Sequence, residues 1–180
     1  MKTINPSRLS KGRLIIFSFI ILAITSCSGS NVDLVKTGQF YEYNSTTVGQ
    51  AFDNWTMCDS VTWEEFETEN GRNIVQFDCF AKNSLQSYLT SSDMFMDGKV
   101  LYEETADAGK IIRKGINFQT QFQVNLDDTF EISYMGASSE GYGEVDLSAL
   151  GTPSDFLAII MPNQKFSVST MWTIVFSMTL

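Results

Sequence analysis

Histidine is absent from all 180 residues. That removes Ser-His-Asp and Cys-His nucleophilic catalysis, imidazole metal sites and the usual proton shuttle near neutral pH. A glycine-rich phosphate loop is also missing, since Gly141-Tyr142-Gly143 opens no helical pattern. Basic residues are scarce, 12 against 21 acidic ones. So acidic a surface repels phosphate backbones and anionic head groups, which argues against nucleic-acid binding and against electrostatic attachment to a membrane. Long apolar runs are lacking too. Leu14 to Ile24 is eleven residues with Ser18 as its polar member, well short of the roughly 20 that span a bilayer as a helix.

What that run does match is a secretory h-region. Lys2, Arg8, Lys11 and Arg13 precede it with no acidic residue among them, and Ile24-Thr25-Ser26-Cys27 follows it. This tetrapeptide resembles the lipobox of bacterial lipoproteins: a branched aliphatic three places before the cysteine, then two small residues, then the obligatory cysteine. The resemblance implies a diacylglycerol on the Cys27 thiol, cleavage by signal peptidase II before it, and acylation (a palmitate, for example) of the new amine. Two or more acyl chains anchor stably where one does not. The rival reading is an uncleaved signal anchor or an ordinary secreted protein. Ser28, in place of the aspartate that favours inner-membrane retention in enterobacterial lipoproteins, points to the periplasmic face of the outer membrane.

Cleavage would take four basic residues and no acidic one, leaving eight against 21 and a net charge of −13 on residues 27–180. About 154 residues suffice for one domain with a real core, read here as 38–180 behind a lipidated tether at 27–37. Cys58 and Cys79 are the remaining cysteines. In an oxidising compartment such a pair reads as a disulfide, stabilising by roughly 3 kcal/mol. A metal or redox pair is the alternative, but there is no C-x-x-C and two thiolates alone make a poor zinc cage.

Local patterns predict an α+β domain, an antiparallel sheet of hairpins packed against one or two short helices. Thr47 and Gln50 form a capping-box pattern ahead of Val48, Ala51, Phe52 and Trp55, a helix over about 47–56. Asn70-Gly71 predicts a two-residue hairpin turn that sets Phe66 opposite Val75. Val75, Phe77, Cys79 and Ala81 then face inward, bringing Cys79 towards the helix and Cys58. Trp63 has the wrong parity for that face, which predicts a bulge near Glu64-Glu65. A second hairpin buries Ile116, Phe118, Phe122, Val124 and Leu126 with Phe130, Ile132 and Tyr134, which requires a three-residue loop at 127–129. Between the hairpins the pattern suggests an Asp97-Gly98 turn and a helix around 100–113, with Lys110, Arg113 and Lys114 as a small basic spot. Thr152-Pro153-Ser154-Asp155 starts another helix that Pro162 stops. Phe166, Val168, Trp172, Ile174, Phe176, Met178 and Leu180 alternate as a terminal strand, charge-free after Lys165. It either completes the sheet or offers an edge to a partner. An outer-membrane barrel is disfavoured by the Glu and Asp in the other strands.

Glu64, Glu65, Glu67 and Glu69 could form a carboxylate pair for glycoside cleavage, but acidic residues on the exposed side of a hairpin arm explain them more simply. Thr47 to Trp55, Trp63-Glu64-Glu65-Phe66, Asn70-Gly71 and Val75-Gln76-Phe77 resemble a pattern in small uncharacterised bacterial envelope lipoproteins, covering roughly residues 36–135. The resemblance implies an envelope location and brings no activity. The expectation is therefore a non-enzymatic module without cofactor beyond the lipid on Cys27, binding an envelope protein through a strand carrying Trp172, Ile174 and Phe176. The alternative is a small-ligand binder with an aromatic-lined cavity.

Overall fold

The computed structural model describes residues 29–91 and 106–180. The signal segment, Cys27, the Asp97-Gly98 turn and the start of the helix expected over 100–113 lie outside the described residues. Five strands, β1 (Ser60–Glu67), β2 (Asn73–Ala81), β3 (Ile116–Val124), β4 (Phe130–Ser138) and β5 (Glu144–Asp146), form one sheet in chain order. Every neighbouring pair is antiparallel. The helices are α1 (Asn31–Thr37), α2 (Val48–Asp53), α3 (Asn83–Ser91), α4 (Ala106–Lys114), α5 (Pro153–Ile160) and α6 (Val168–Ser177). The α+β architecture is the expected one, with more helices than the one or two anticipated.

Two helices start as their local chemistry dictates. Thr47 caps α2 and exchanges hydrogen bonds with Gln50, while Thr152 does the same with Asp155 at the start of α5, where Pro153 is the first helical residue. The stretch expected to be a tether is instead folded from Asn31 onward. Ser30 caps α1, and Val35 is fully buried in the core. The chain enters the fold beside the β3–β4 turn, where Gly29 and Ser30 share a shallow hollow with Asp128.

Both hairpins close with three-residue loops. In the first, the Thr68 amide donates to Arg72 O at 2.9 Å and Gly71 takes a φ of 74°. This left-handed third residue shifts the register by one from the two-residue expectation, so Phe66 faces Ile74 and Val75 faces Glu65. Trp63 then falls inward, opposite Phe77, in an unbroken ladder. The bulge expected at Glu64-Glu65 is not formed because the correct register removes the parity conflict. In the second, the Asn125 amide donates to Thr129 O at 2.8 Å and Asp128 has a φ of 60°. The loop is 126–128, one residue earlier than predicted, leaving Leu126 exposed at its tip. A bulge sits instead in β4. Phe122 pairs with Ile132 but Gln121 pairs with Tyr134, so Ser133 is the extra residue and Tyr134 turns to the outer face. Met135 and Ala137 take the inward places.

The last element overturns the predicted strand. Residues 168–177 are helical, capped by the Ser167 hydroxyl on the Thr170 amide. Met171, Ile174, Val175 and Met178 are its buried stripe. The alternating pattern of this segment also satisfies an i, i+3, i+4, i+7 pattern, and burial beneath the sheet selects the helix.

Every sheet residue in the core cluster lies on one face: Val75, Phe77, Cys79 and Ala81 of β2, Ile116, Phe118, Phe122 and Val124 of β3, Met135 and Ala137 of β4. Side chains from all six helices join that cluster directly or pack against it. At its centre, Phe52 sits 4.9 Å from Phe77, 5.5 Å from Phe122 and 6.1 Å from Trp63, centroid to centroid. Trp55, Phe118 and Phe166 form a second set at 5.4 to 5.8 Å. These rings fill one another's space and form a packed core.

Candidate functional site

The disulfide expected from the cysteine count is present, joining Cys58 to the fully buried Cys79. It ties the turn after α2 to the inward row of β2. Beside it, Asp59 accepts from the amides of Lys82, Asn83 and Ser84 at 2.6 to 3.0 Å, serving as the cap of α3 from another part of the chain. Burial alone would push its carboxyl pKa up. The three amides and the Ser84 side chain outweigh that and hold it below the usual aspartate value.

The three residues proposed for a partner strand lie on a helix, and Ile174 is turned away from the other two. Ile174 is fully buried, Trp172 is half-buried, and Phe176 is exposed with its ring stacked on Trp172 at 5.5 Å. The carboxylates considered for glycoside cleavage are also dispersed. Glu64 accepts from Gln76, and Glu65, facing the other way, accepts from the Val32 amide. The basic spot is engaged locally: Lys110 pairs with Asp107 at 2.9 Å, and Lys114 donates to Glu140 O and lies over the Tyr142 ring.

What the fold does assemble is the outer face of the sheet, which no helix covers among the described residues. Alternation in β3 sends Asn117, Gln119, Gln121 and Gln123 outward between buried neighbours, all apolar but Thr120. The registers place them in rows. Ser60, Phe80, Asn117, Ser138 and Glu144 form one; Thr62, Asp78, Gln119, Gly136 and Asp146 the next; Glu64, Gln76, Gln121 and Tyr134 a third. Asp78 is the hub. One of its oxygens accepts from Asn117 at 2.8 Å and from Gln119 at 3.3 Å, the other from Gln76 at 2.9 Å. Gln76 in turn reaches Glu64 at 3.1 Å and accepts from Gln121 at 2.9 Å. These six side chains thus hold each other in place across three strands.

The face is acidic as well as ordered. Glu64, Asp78, Glu131, Glu144 and Asp146 project from it, and its rows contain no Lys or Arg. Arg72, at the hairpin end, touches only its margin through Gln123 at 3.4 Å. At the β4–β5 side a cleft of about 110 Å³ is lined by Ser133, Tyr134, Met135, Asp146, Ser148, Gly151, Pro153 and Phe156. It exists because β5 pairs only with Gly136 to Ser138, leaving β4, among the described residues, without a strand on that side of 133–135. The chain after Asp146 walls it, through the 3-10 turn Leu147–Ala149 and the start of α5.

Tyr134 owes its place to the Ser133 bulge and to Gly136, over whose backbone it lies so closely that a Cβ there would collide with its ring. Its hydroxyl donates to Glu144. Burial, the hydrogen bond to Glu144, and the charges of Glu144 and Asp146 raise its pKa well above the ordinary phenol value, so it stays neutral across the physiological range. Asp146 uses one oxygen to accept from the Ser148 amide at 2.8 Å. Among the described residues no group of three His, Cys, Asp or Glu is placed to hold a metal ion.

The alternating amides were visible in the sequence as the polar half of two strands. The cleft was not, since it joins residues 133–135 to 146–156 through an unforeseen bulge. Compared with protein-family models, curated proteins and solved structures, the chain matches none.

Proposed function

We propose that this chain is a lipid-anchored lipoprotein at the periplasmic face of the outer membrane, acting without covalent chemistry of its own as a binding module for an envelope protein. The anchor rests on Ile24-Thr25-Ser26-Cys27 and the apolar run before it. The binding role rests on one observation, that among the described residues the helices cover one face of the sheet and the other carries a pre-ordered amide and carboxylate network. Ordering a long side chain at an interface costs about 0.5–1.5 kcal/mol. Gln76, Gln119 and Gln121 are already hydrogen-bonded in place, which lowers that cost. The partner surface thus moves from the C-terminal segment to the open sheet.

Placing a photo-crosslinking residue at exposed Thr62 or Glu131, in the full chain in its membrane, tests the reading. The expected result is one discrete protein adduct from these positions and none from Ala158 or Lys110 on the helical side. Equal adducts from both sides, or none from the sheet, would sink it. The mass of the mature N-terminus tests the anchor independently, since an unacylated Cys27 removes it.

A further inference from the structure

The cleft beside β4 carries chemistry that the flat part of the open face lacks. Its walls are apolar on one side, from Met135, Pro153, Phe156 and the Tyr134 ring. Its mouth is polar, with Ser133, Ser148 and the Asp146 carboxylate. Asp146 is its one charged lining residue, and Glu144 adds a second negative charge two residues back on the same face of β5. One oxygen of each is engaged, that of Asp146 by the Ser148 amide and that of Glu144 by the Tyr134 hydroxyl. The remaining oxygen of each has no protein donor among the described residues.

We propose that this cleft is a subsite for a lysine side chain of the protein that docks on the open face. The inference rests on the reading of that face as a partner surface and names the residue type that the surface selects. The methylene stem of lysine matches the apolar walls, and its ammonium meets Asp146 and the Tyr134 ring, a carboxylate and a π-face together. The free acceptors also favour lysine over arginine. A guanidinium fork is best met by both oxygens of one carboxylate, whereas here one oxygen of Asp146 is committed to its cap. A compact ammonium with three rotatable donors fits one carboxylate oxygen and two serine hydroxyls. Charge agrees, because the open face carries five acidic side chains and no basic one in its rows.

The test is a titration of the isotope-labelled full chain in detergent micelles with N-acetyl-lysine methylamide, read from amide chemical shifts. Saturable shifts confined to residues 133–135 and 146–151 are expected, with at least tenfold weaker binding in Asp146→Asn. That variant keeps the oxygen that caps Ser148 and loses only the charge. Ser148→Leu, at an exposed position on the cleft mouth, should weaken binding similarly and serves if Asp146→Asn proves unstable. The uncharged norleucine analogue should leave the cleft unmoved. Equal binding of the norleucine or the arginine analogue would overturn the assignment. So would shifts that spread over the whole acidic surface and persist in Asp146→Asn. If crosslinking at Thr62 and Glu131 succeeds while the lysine analogue leaves the cleft unmoved, only the subsite falls. If crosslinking fails, the partner surface falls and takes the subsite with it.

Discussion

One sheet presents two faces built from alternate residues of the same strands. Along β2, Val75, Phe77, Cys79 and Ala81 go under the helices, while Gln76, Asp78 and Phe80 go to the other side. The inner face is held by rings in contact, by aliphatic packing and by the Cys58–Cys79 link. The outer face is held by hydrogen bonds among side chains that water can also reach. Burial of apolar surface is worth roughly 25 cal/mol per Å², whereas an exchangeable side-chain hydrogen bond nets only about 1 kcal/mol. Stability should therefore reside almost entirely on one side, leaving the other free to be shaped for contact.

The sharpest way to break that comparison is to truncate one residue on each face. Phe52→Ala removes a fully buried ring that touches Trp63, Phe77 and Phe122. Its expected destabilisation is about 3–5 kcal/mol. Gln119→Ala, on the outer face, removes one of three donors to Asp78 and should stay within about 0.5 kcal/mol. Urea unfolding followed by tryptophan fluorescence measures both. Comparable losses from the two variants would mean that the outer network carries the fold, contrary to this account.

The disulfide comes next in size. It closes a loop with a sequence separation of 21 residues, for which the chain-entropy model gives about 3 kcal/mol. The double variant Cys58→Ala, Cys79→Ala should lose that amount in a chemical unfolding experiment and keep the same secondary structure by circular dichroism. Because Cys79 belongs to the inner row, the loss should leave binding at the outer face intact in the folded fraction. A variant that stays folded and yet loses crosslinking from Thr62 would show the two faces to be coupled.

How far this division could be read from the sequence depended on how local each rule is. Both capping boxes, Thr47 with Gln50 and Thr152 with Asp155, are complete within four residues, and both helices start where they should. The alternation of β2 and β3 separates inner from outer residues by period alone. The register of the first hairpin slipped because it closes on a left-handed third residue, Gly71, and one extra residue in a loop shifts every pairing that follows. The second hairpin keeps the expected three-residue length, with Asp128 as its left-handed third residue, but starts one residue earlier. Segment 166–180 satisfies both the two-residue and the helical period, so only its packing under the sheet decides. Ser30 ahead of α1 was read as part of a flexible tether because capping residues and linker residues are the same small polar types. The candidate site was half legible. Its amides follow from alternation, but its cleft needs the Ser133 bulge that turns Tyr134 outward, and nothing local signals an extra residue in a strand.

The smallest effect tests whether a charge at the boundary of the two faces acts as a simple cap. Asp59 follows Cys58 directly and is an exposed residue that closes the start of α3. Its folded pKa lies below that of the unfolded chain, about 3.9 for a free aspartate. The contribution is therefore complete above that unfolded value and is lost as pH falls through it towards the lower folded value. Asp59→Asn keeps one acceptor oxygen and no charge, so at pH 7 it should be less stable by at most about 1 kcal/mol. The gap to the parent protein should shrink as pH drops below about 4. Asp127 and Asp155, also held below the usual range by Thr129 and Thr152 respectively, titrate in the same acid region. They are present in both proteins, and the difference between the two unfolding curves isolates Asp59. A gap that stays constant from pH 7 to pH 3 would show that Asp59 caps α3 through its shape alone, with its charge contributing nothing.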